Sequence, residues 1–141
     1  MSAIEITKLD HVVLRVRDVD ASLRFYCEVL GCREERRIEA LGLVQLRAGA
    51  SLIDLVDLDA PLGQAGGAPP GEEGRNVDHV ALRLAHFDEA AIRAQLAAAG
   101  IEMGEVGQRY GADGTSPSVY LRDPDLNVVE LCGPATEPPL S

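Results

Sequence analysis

Leu9-Asp10-His11-Val12-Val13-Leu14-Arg15-Val16 and Val77-Asp78-His79-Val80-Ala81-Leu82-Arg83-Leu84 share the pattern Asp-His-Val-x-Leu-Arg, with their histidines 79 − 11 = 68 positions apart. A repeat of this kind decides the fold before any single motif, because it says that one supersecondary unit is built twice. Each segment is rich in aliphatic and β-branched residues, which suits a strand, and each is followed by helical spacing. In the first half Asp20 is the expected N-cap of a helix over Ala21–Leu30, ended by Gly31; in the second, Asp88 caps Glu89–Ala99 and Gly100 stops it.

Three strand-like runs follow each helix. They lie at Glu34–Ile38, Leu43–Arg47 and Ser51–Val56, then at Glu102–Val106, Ser118–Arg122 and Val128–Cys132. The turn formers Asp123-Pro124-Asp125-Leu126-Asn127 join the last pair as a hairpin connection. The expected architecture is therefore α+β: paired βαβββ modules at about 7–59 and 76–133 in a single domain. Between them, residues 60–75 contain Pro61, Pro69, Pro70 and several glycines and read as a linker without regular structure. The proline-bearing stretch from Gly133 to Ser141 reads as a loose tail, and Gly104 to Pro117 as a loop that sets specificity.

The composition narrows the function. Thirteen Lys and Arg against 23 Asp and Glu give a formal net charge of −10, whose field repels phosphate backbones and anionic lipid surfaces, so nucleic acid and membrane are poor partners. No apolar run approaches the roughly 20 residues that cross a bilayer, and Met1-Ser2-Ala3-Ile4-Glu5 lacks the features of a signal peptide, so a cytoplasmic location is expected. Cys27, Cys32 and Cys132 are odd in number and form no C-x-x-C, which argues for reduced thiols rather than a disulfide framework or zinc knuckle. Cys132 lies two residues after Glu130 and so shares its face if that segment is a strand.

The chemistry concentrates where the repeats correspond. His11 and His79 open the two modules. Ser51-Leu52-Ile53-Asp54-Leu55 matches Asn127-Val128-Val129-Glu130-Leu131, so that each half closes on a carboxylate set in an aliphatic strand. Such an acid is costly to desolvate unless it meets water, a partner or a cation. Two imidazoles with Asp54 and Glu130 make a mixed N/O ligand set suited to Zn, Ni, Mn, Co or Fe. Arg15 and Arg83 share the faces of His11 and His79. His86, at a helix entrance, reads as a surface residue.

The two Asp-His strands, together with Phe25-Tyr26-Cys27-Glu28-Val29-Leu30-Gly31 and the run from Tyr120 to Leu131, resemble the vicinal oxygen chelate superfamily over roughly residues 7–133. That superfamily includes glyoxalase I, fosfomycin-resistance thiol transferases and epoxide hydrolases, epimerases, extradiol dioxygenases and drug-sequestering proteins. The resemblance implies a cupped mixed sheet around one divalent metal, a homodimer, and a small-molecule substrate, with a thiol such as glutathione as a candidate. It places His11, His79 and Glu130 on widely shared ligand positions and Asp54 on the fourth, where relatives carry the longer Glu or Gln. A glyoxalase I-like lyase or isomerase of hemithioacetals would use Glu130 to move the proton and Arg15 to hold a glutathione carboxylate, although Leu58 replaces an expected glutathione-binding Asn. A fosfomycin-resistance reading draws on Ser118-Val119-Tyr120, with Arg15, Arg109 or Arg122 as anion contacts and Tyr120 in the substrate site. A metal-free drug-sequestering protein and an extradiol dioxygenase or epimerase are further alternatives.

Overall fold

The structure is a computed structural model and describes residues 2–140. The chain divides into two compact units, one ending at Pro69 and one beginning at Pro70, a division that falls within segment 60–75.

The first unit runs β1 (His11–Val16), α1 (Val19–Leu23), a π-helical stretch Arg24–Val29 continuing it, β2 (Arg33–Ile38), a 3-10 turn Glu39–Leu41, β3 (Leu43–Ala48), β4 (Ser51–Asp57) and α2 (Pro61–Gln64). Its four-stranded sheet has the order β1-β4-β3-β2, with β1 parallel to β4 and the other pairs antiparallel. The helix starts earlier than the sequence suggests, because Asp18 rather than Asp20 is the N-cap. Asp18 has extended backbone and its carboxylate accepts the Ala21 N–H at 3.0 Å, while Asp20 sits in the first turn, where its charge complements the helix dipole. Gly31 ends the helical stretch with φ at +87°, as expected of a glycine terminator.

The second unit repeats the order: β5 (His79–Arg83), α3 (Glu89–Ala98), β6 (Gly107–Gly111), β7 (Gly114–Arg122) and β8 (Val128–Cys132), in a sheet ordered β5-β8-β7-β6. Asp88 caps α3 through the Ala91 N–H at 3.1 Å, and Gly100 follows with φ at +73°. The strand expected at Glu102–Val106 forms instead at Gly107–Gly111. There β6 pairs with β7 from Gly107↔Ser118 to Gly111↔Gly114, so most of the expected Gly104–Pro117 loop is a tight hairpin. At position 104 the Gly104 N–H donates to the Tyr120 carbonyl at 3.0 Å. The connection after β7 is a turn built by Asp123, whose carboxylate accepts the Asp125 and Asn127 backbone N–H groups at 2.9 and 2.8 Å, with Leu126 in the left-handed region at φ 67°.

Two segments expected to be irregular are partly ordered. Residues 61–64 form one helical turn, and the guanidinium of Arg15 donates to the carbonyls of Gly63, Gly67 and Ala68 at 3.4, 3.2 and 3.1 Å. The tail after Gly133 is anchored rather than loose. Thr115 N–H donates to the Glu137 carbonyl at 3.0 Å, Thr136 N–H to the Thr115 carbonyl at 2.7 Å, and Leu140 N–H to the Tyr110 hydroxyl at 2.7 Å. The fit is close enough that a Cβ on Gly114 would lie 2.0 Å from the Glu137 carbonyl oxygen.

Strand alternation sorts each sheet into an apolar face and a chemical one. In the first unit Leu14, Val16, Val44, Leu46, Ile53 and Leu55 are buried, as are Phe25 and Tyr26, whose rings meet edge-on at 4.9 Å. In the second, Val119, Leu121, Val129 and Leu131 are buried with Leu96 of α3. Each large aliphatic side chain so buried contributes about 1.5–3 kcal/mol. The opposite faces carry His11, Arg15, Gln45 and Asp54 in one unit and His79, Arg83, Ser118, Tyr120, Glu130 and Cys132 in the other.

Candidate functional site

Both histidines are oriented in the same way. The Nδ1 atom of His11 lies 2.8 Å from the Asp10 carboxylate and that of His79 lies 2.7 Å from the Asp78 carboxylate. An acid on Nδ1 fixes the tautomer and turns Nε2 outward, the arrangement used by metal-bound imidazoles. The Asp10 hydrogen bond, aided by the charge of Asp54, raises the His11 pKa above its ordinary 6.5. These two aspartates were not singled out from the sequence, although the Asp-His pair recurs in the repeat.

In the first unit Asp54 is buried at 3% exposure and faces Gln45, its register partner on β3. Gln45 Nε2 donates to Asp54 Oδ2 at 3.0 Å, whereas the buried Oδ1 has no hydrogen-bond partner. A buried carboxylate oxygen left bare is costly and fits an approaching cation. Gln45 was not foreseen either; its only sequence signal is a polar side chain interrupting Val44 and Leu46.

The second unit assembles more. His79 Nε2 lies 3.3 Å from Glu130 Oε1, and Cys132 Sγ donates to Glu130 Oε2 at 3.3 Å. Burial opposes ionisation of Glu130, but hydrogen bonds from Ser118, Cys132 and Tyr120, with the His79 charge, outweigh it and hold its pKa below the ordinary 4.5. Arg109 donates to the Ser118 hydroxyl at 2.9 Å and carbonyl at 2.7 Å, and its guanidinium stands 4.6 Å over the Tyr120 ring. Tyr120 in turn packs edge-on against His79 at 5.6 Å. Burial and the Glu130 charge push the Tyr120 pKa up from 10, and burial with the Glu130 hydrogen bond pushes the Cys132 thiol up to about 11. Both stay protonated near neutrality as hydrogen-bond donors.

The structure thus brings His11 near Asp54, and His79, Glu130, Tyr120 and Arg109 into one cluster. Among the described residues, no group of three His, Cys, Asp or Glu side chains is placed to hold one ion, so each unit supplies a pair of donors. Each pair taken by itself has donor chemistry suited to a divalent ion: an imidazole with a bare buried carboxylate oxygen in the first unit, and an imidazole with a carboxylate held ionised in the second. The other candidates lie elsewhere. Arg122 is exposed and lines a recess of about 370 Å³ with Glu72, Arg75 and Leu126. Arg15 is engaged by the 63–68 carbonyls, and Arg83 bonds Ser116 and pairs with Asp113 at 3.2 Å. His86 is exposed. A recess of the first unit, about 380 Å³, is lined by Arg17, Asp20 and Arg37 and includes neither His11 nor Asp54.

Comparison with known proteins identifies the family and the fold. The profile of the Glyoxalase/Bleomycin resistance protein/Dioxygenase superfamily matches residues 8–131. Virulence protein STM3117 of Salmonella typhimurium is 31% identical over 131 residues, covering 89% of this chain and 83% of the relative. Its crystal structure superposes with a TM-score of 0.73 at 28% identity, over 94% of this chain and all (100%) of that one. Two more distant structures share the fold. They are lactoylglutathione lyase of Agrobacterium tumefaciens, with TM-score 0.61, 23% identity and coverage of 91% and 94%, and the fosfomycin resistance protein FosX of Listeria monocytogenes, with 0.67, 18%, 94% and 97%.

Proposed function

Because the chain belongs to the Glyoxalase/Bleomycin resistance protein/Dioxygenase superfamily, we propose that it is a divalent-metal-dependent enzyme of the glyoxalase I type, acting on a small hemithioacetal with two vicinal oxygens. His11, Asp54, His79 and Glu130 are its ligands in this reading, and a thiol such as glutathione, a homodimeric assembly and a cytoplasmic location belong to the same proposal. The observation that carries it is the Glu130 cluster: an ionised, buried carboxylate 3.3 Å from an imidazole nitrogen, on the site face of its sheet. A bound divalent ion supplies Lewis-acid polarisation of the substrate's oxygens.

The remaining work falls to this chain's own side chains. The Glu130 carboxylate takes the proton from the carbon bearing sulfur and returns it to the neighbouring carbonyl carbon, while the hydroxyl proton of the first carbon passes to the oxygen of the second, so the hemithioacetal leaves as an isomeric thioester with no atom gained or lost. Cys132 and Ser118 keep the carboxylate in place, and Tyr120 closes one side of the cluster. A second reading, a fosfomycin-resistance type of thiol transferase or epoxide hydrolase, is favoured by one specific feature: Arg109, Ser118 and Tyr120 gather beside Glu130 as contacts for an anionic substrate. Arg15, by contrast, already spends its donors on three carbonyls, which weakens its use for a glutathione carboxylate.

The test combines metal analysis of untagged protein with turnover. Stoichiometric divalent metal that is lost in His79→Ala, with conversion of methylglyoxal plus glutathione, supports the first reading. Metal with consumption of fosfomycin instead, with a thiol or water as nucleophile, supports the second. Protein that takes up no divalent ion and still binds aromatic drugs refutes both and leaves sequestration.

A further inference from the structure

The sequence offers Arg109 as a contact for a substrate anion, but the structure turns its guanidinium onto its own sheet. One nitrogen, Nη1, donates to the Ser118 hydroxyl at 2.9 Å and to the Ser118 carbonyl at 2.7 Å, and the guanidinium carbon stands 4.6 Å over the Tyr120 ring. Ser118 is buried, and the side chains of Ser118 and Tyr120 each give a hydrogen bond to the Glu130 carboxylate. Gly107, the β6 partner of Ser118, leaves the guanidinium its room: a Cβ there would come within 3.2 Å of it. Arg109 therefore stands behind two of the groups that hold Glu130 and reaches the carboxylate through them. All of these residues belong to the second unit.

We infer that Arg109 is a positioning residue, which aims the Ser118 and Tyr120 hydroxyls at Glu130 rather than meeting the substrate. The inference rests on the first reading above, in which Glu130 carries the proton, and deepens it. A serine hydroxyl has one proton and two lone pairs, whereas a guanidinium has donors alone. With Arg109 donating into Ser118 Oγ, the Ser118 proton cannot point back along that bond and is left for the carboxylate. The second bond, to the Ser118 carbonyl, fixes the strand position from which the hydroxyl projects. Tyr120 is held by other means. A guanidinium is drawn to the face of an aromatic ring, and here it backs a ring whose angle to His79 is edge-on. A carboxylate gripped by two aimed hydroxyls keeps its direction while it takes up and returns a proton. Without Arg109 both hydroxyls are released, so the loss falls on the chemical step and not on substrate binding.

The test is a double-mutant cycle on the full, metal-loaded chain with methylglyoxal and glutathione, melting curves establishing that each variant is folded. Arg109→Gln is expected to lower kcat about 10–100-fold with KM little changed. Arg109→Lys, which keeps the charge and a donor, is expected to recover part of that loss. In a chain already lacking both hydroxyls, Ser118→Ala with Tyr120→Phe, Arg109→Gln is expected to change kcat by no more than about twofold, since nothing is left for Arg109 to aim. A second readout requires neither metal nor turnover. The chain has three tyrosines; with tyrosine labelled at Cζ for NMR, the Tyr120 signal, identified by its absence in Tyr120→Phe, is expected to move in Arg109→Gln while that of Tyr26 in the first unit stays. An unmoved Tyr120 signal, or a kcat loss as large in the chain without the two hydroxyls, overturns the inference. A rise in KM at unchanged kcat also overturns it and gives Arg109 to the substrate's anion. Wild-type chain that takes up no metal or turns nothing over refutes the glyoxalase reading instead, and the Tyr120 signal then decides by itself whether Arg109 sets the ring.

Discussion

Replacing Asp54 by Asn is expected to stabilise the metal-free protein and to abolish most of its response to metal. The side chain is 3% exposed, and only Oδ2 is satisfied, by Gln45. A buried acceptor without a partner costs about 1–3 kcal/mol, and more when it carries charge. Asn keeps the oxygen that Gln45 needs and puts a neutral amide where the bare oxygen stood, which is far cheaper to remove from water. A net gain of about 1–2 kcal/mol in the absence of metal follows, or a rise in Tm of roughly 4 °C per kcal/mol for a chain of this size. Saturating metal works the other way. At 100 times its Kd a ligand adds about 2.7 kcal/mol to stability, and a variant that has lost a charged donor forfeits much of it. Urea unfolding followed by circular dichroism, once in chelator and once in excess zinc, measures both quantities. A variant less stable than wild type in chelator, with an undiminished zinc response, would refute the reasoning that Asp54 is a strained acid awaiting a cation.

Glu130→Gln preserves shape but removes the proton carrier, so kcat on the true substrate is expected to fall by about 10²–10⁴-fold in steady-state assays, and a smaller loss would assign the base elsewhere. The contribution of Glu130 to the pH dependence of metal-free stability should be one-sided. Because the folded Glu130 pKa lies below 4.5, its contribution is fully present above that value and disappears as pH falls through the folded value. The difference in urea midpoint between wild type and Glu130→Gln should therefore hold from neutral pH down to about 5 and change below 4.5, with a shallower acid decline in Glu130→Gln. Arg15→Ala should release segment 63–68, accelerating its amide hydrogen exchange while the protected core strands β3 and β4 stay unchanged; unaltered exchange at Gly67 and Ala68 would contradict the bonds described for Arg15.

The repeat made the fold legible. Strand, capped helix, glycine stop and three strands recur because each half must bury one aliphatic sheet face, and both His-bearing strands and both acid-bearing strands appear where expected. The misplaced strand in the second unit has a physical cause. Gly107, Gly111, Gly114 and Pro117 all carry poor strand propensity, yet β6 and the first part of β7 form because their register closes a tight hairpin, and Pro117 lies where β8 no longer pairs with β7. The cap shifted from Asp20 to Asp18 because two acids two residues apart compete, and only backbone geometry separates an N-cap from a first-turn charge. The meeting of His79 with Glu130 was readable from their positions in the repeat. Gln45 was not, since its role depends on cross-strand register with Asp54, and Arg15 gave no hint of the carbonyls it holds, which lie about 50 residues along the chain.

The anchored tail has a consequence for how the protein avoids its own kind. Beyond Ser118 the first part of β7 outlasts β8, and without residues 134–140 the N–H and carbonyl of Thr115 would stand open along a strand rim. Bare rims of this sort template the addition of another chain. Glu137 and its neighbours act as a short cover strip, and the missing side chain at Gly114 is the slot through which that strip passes.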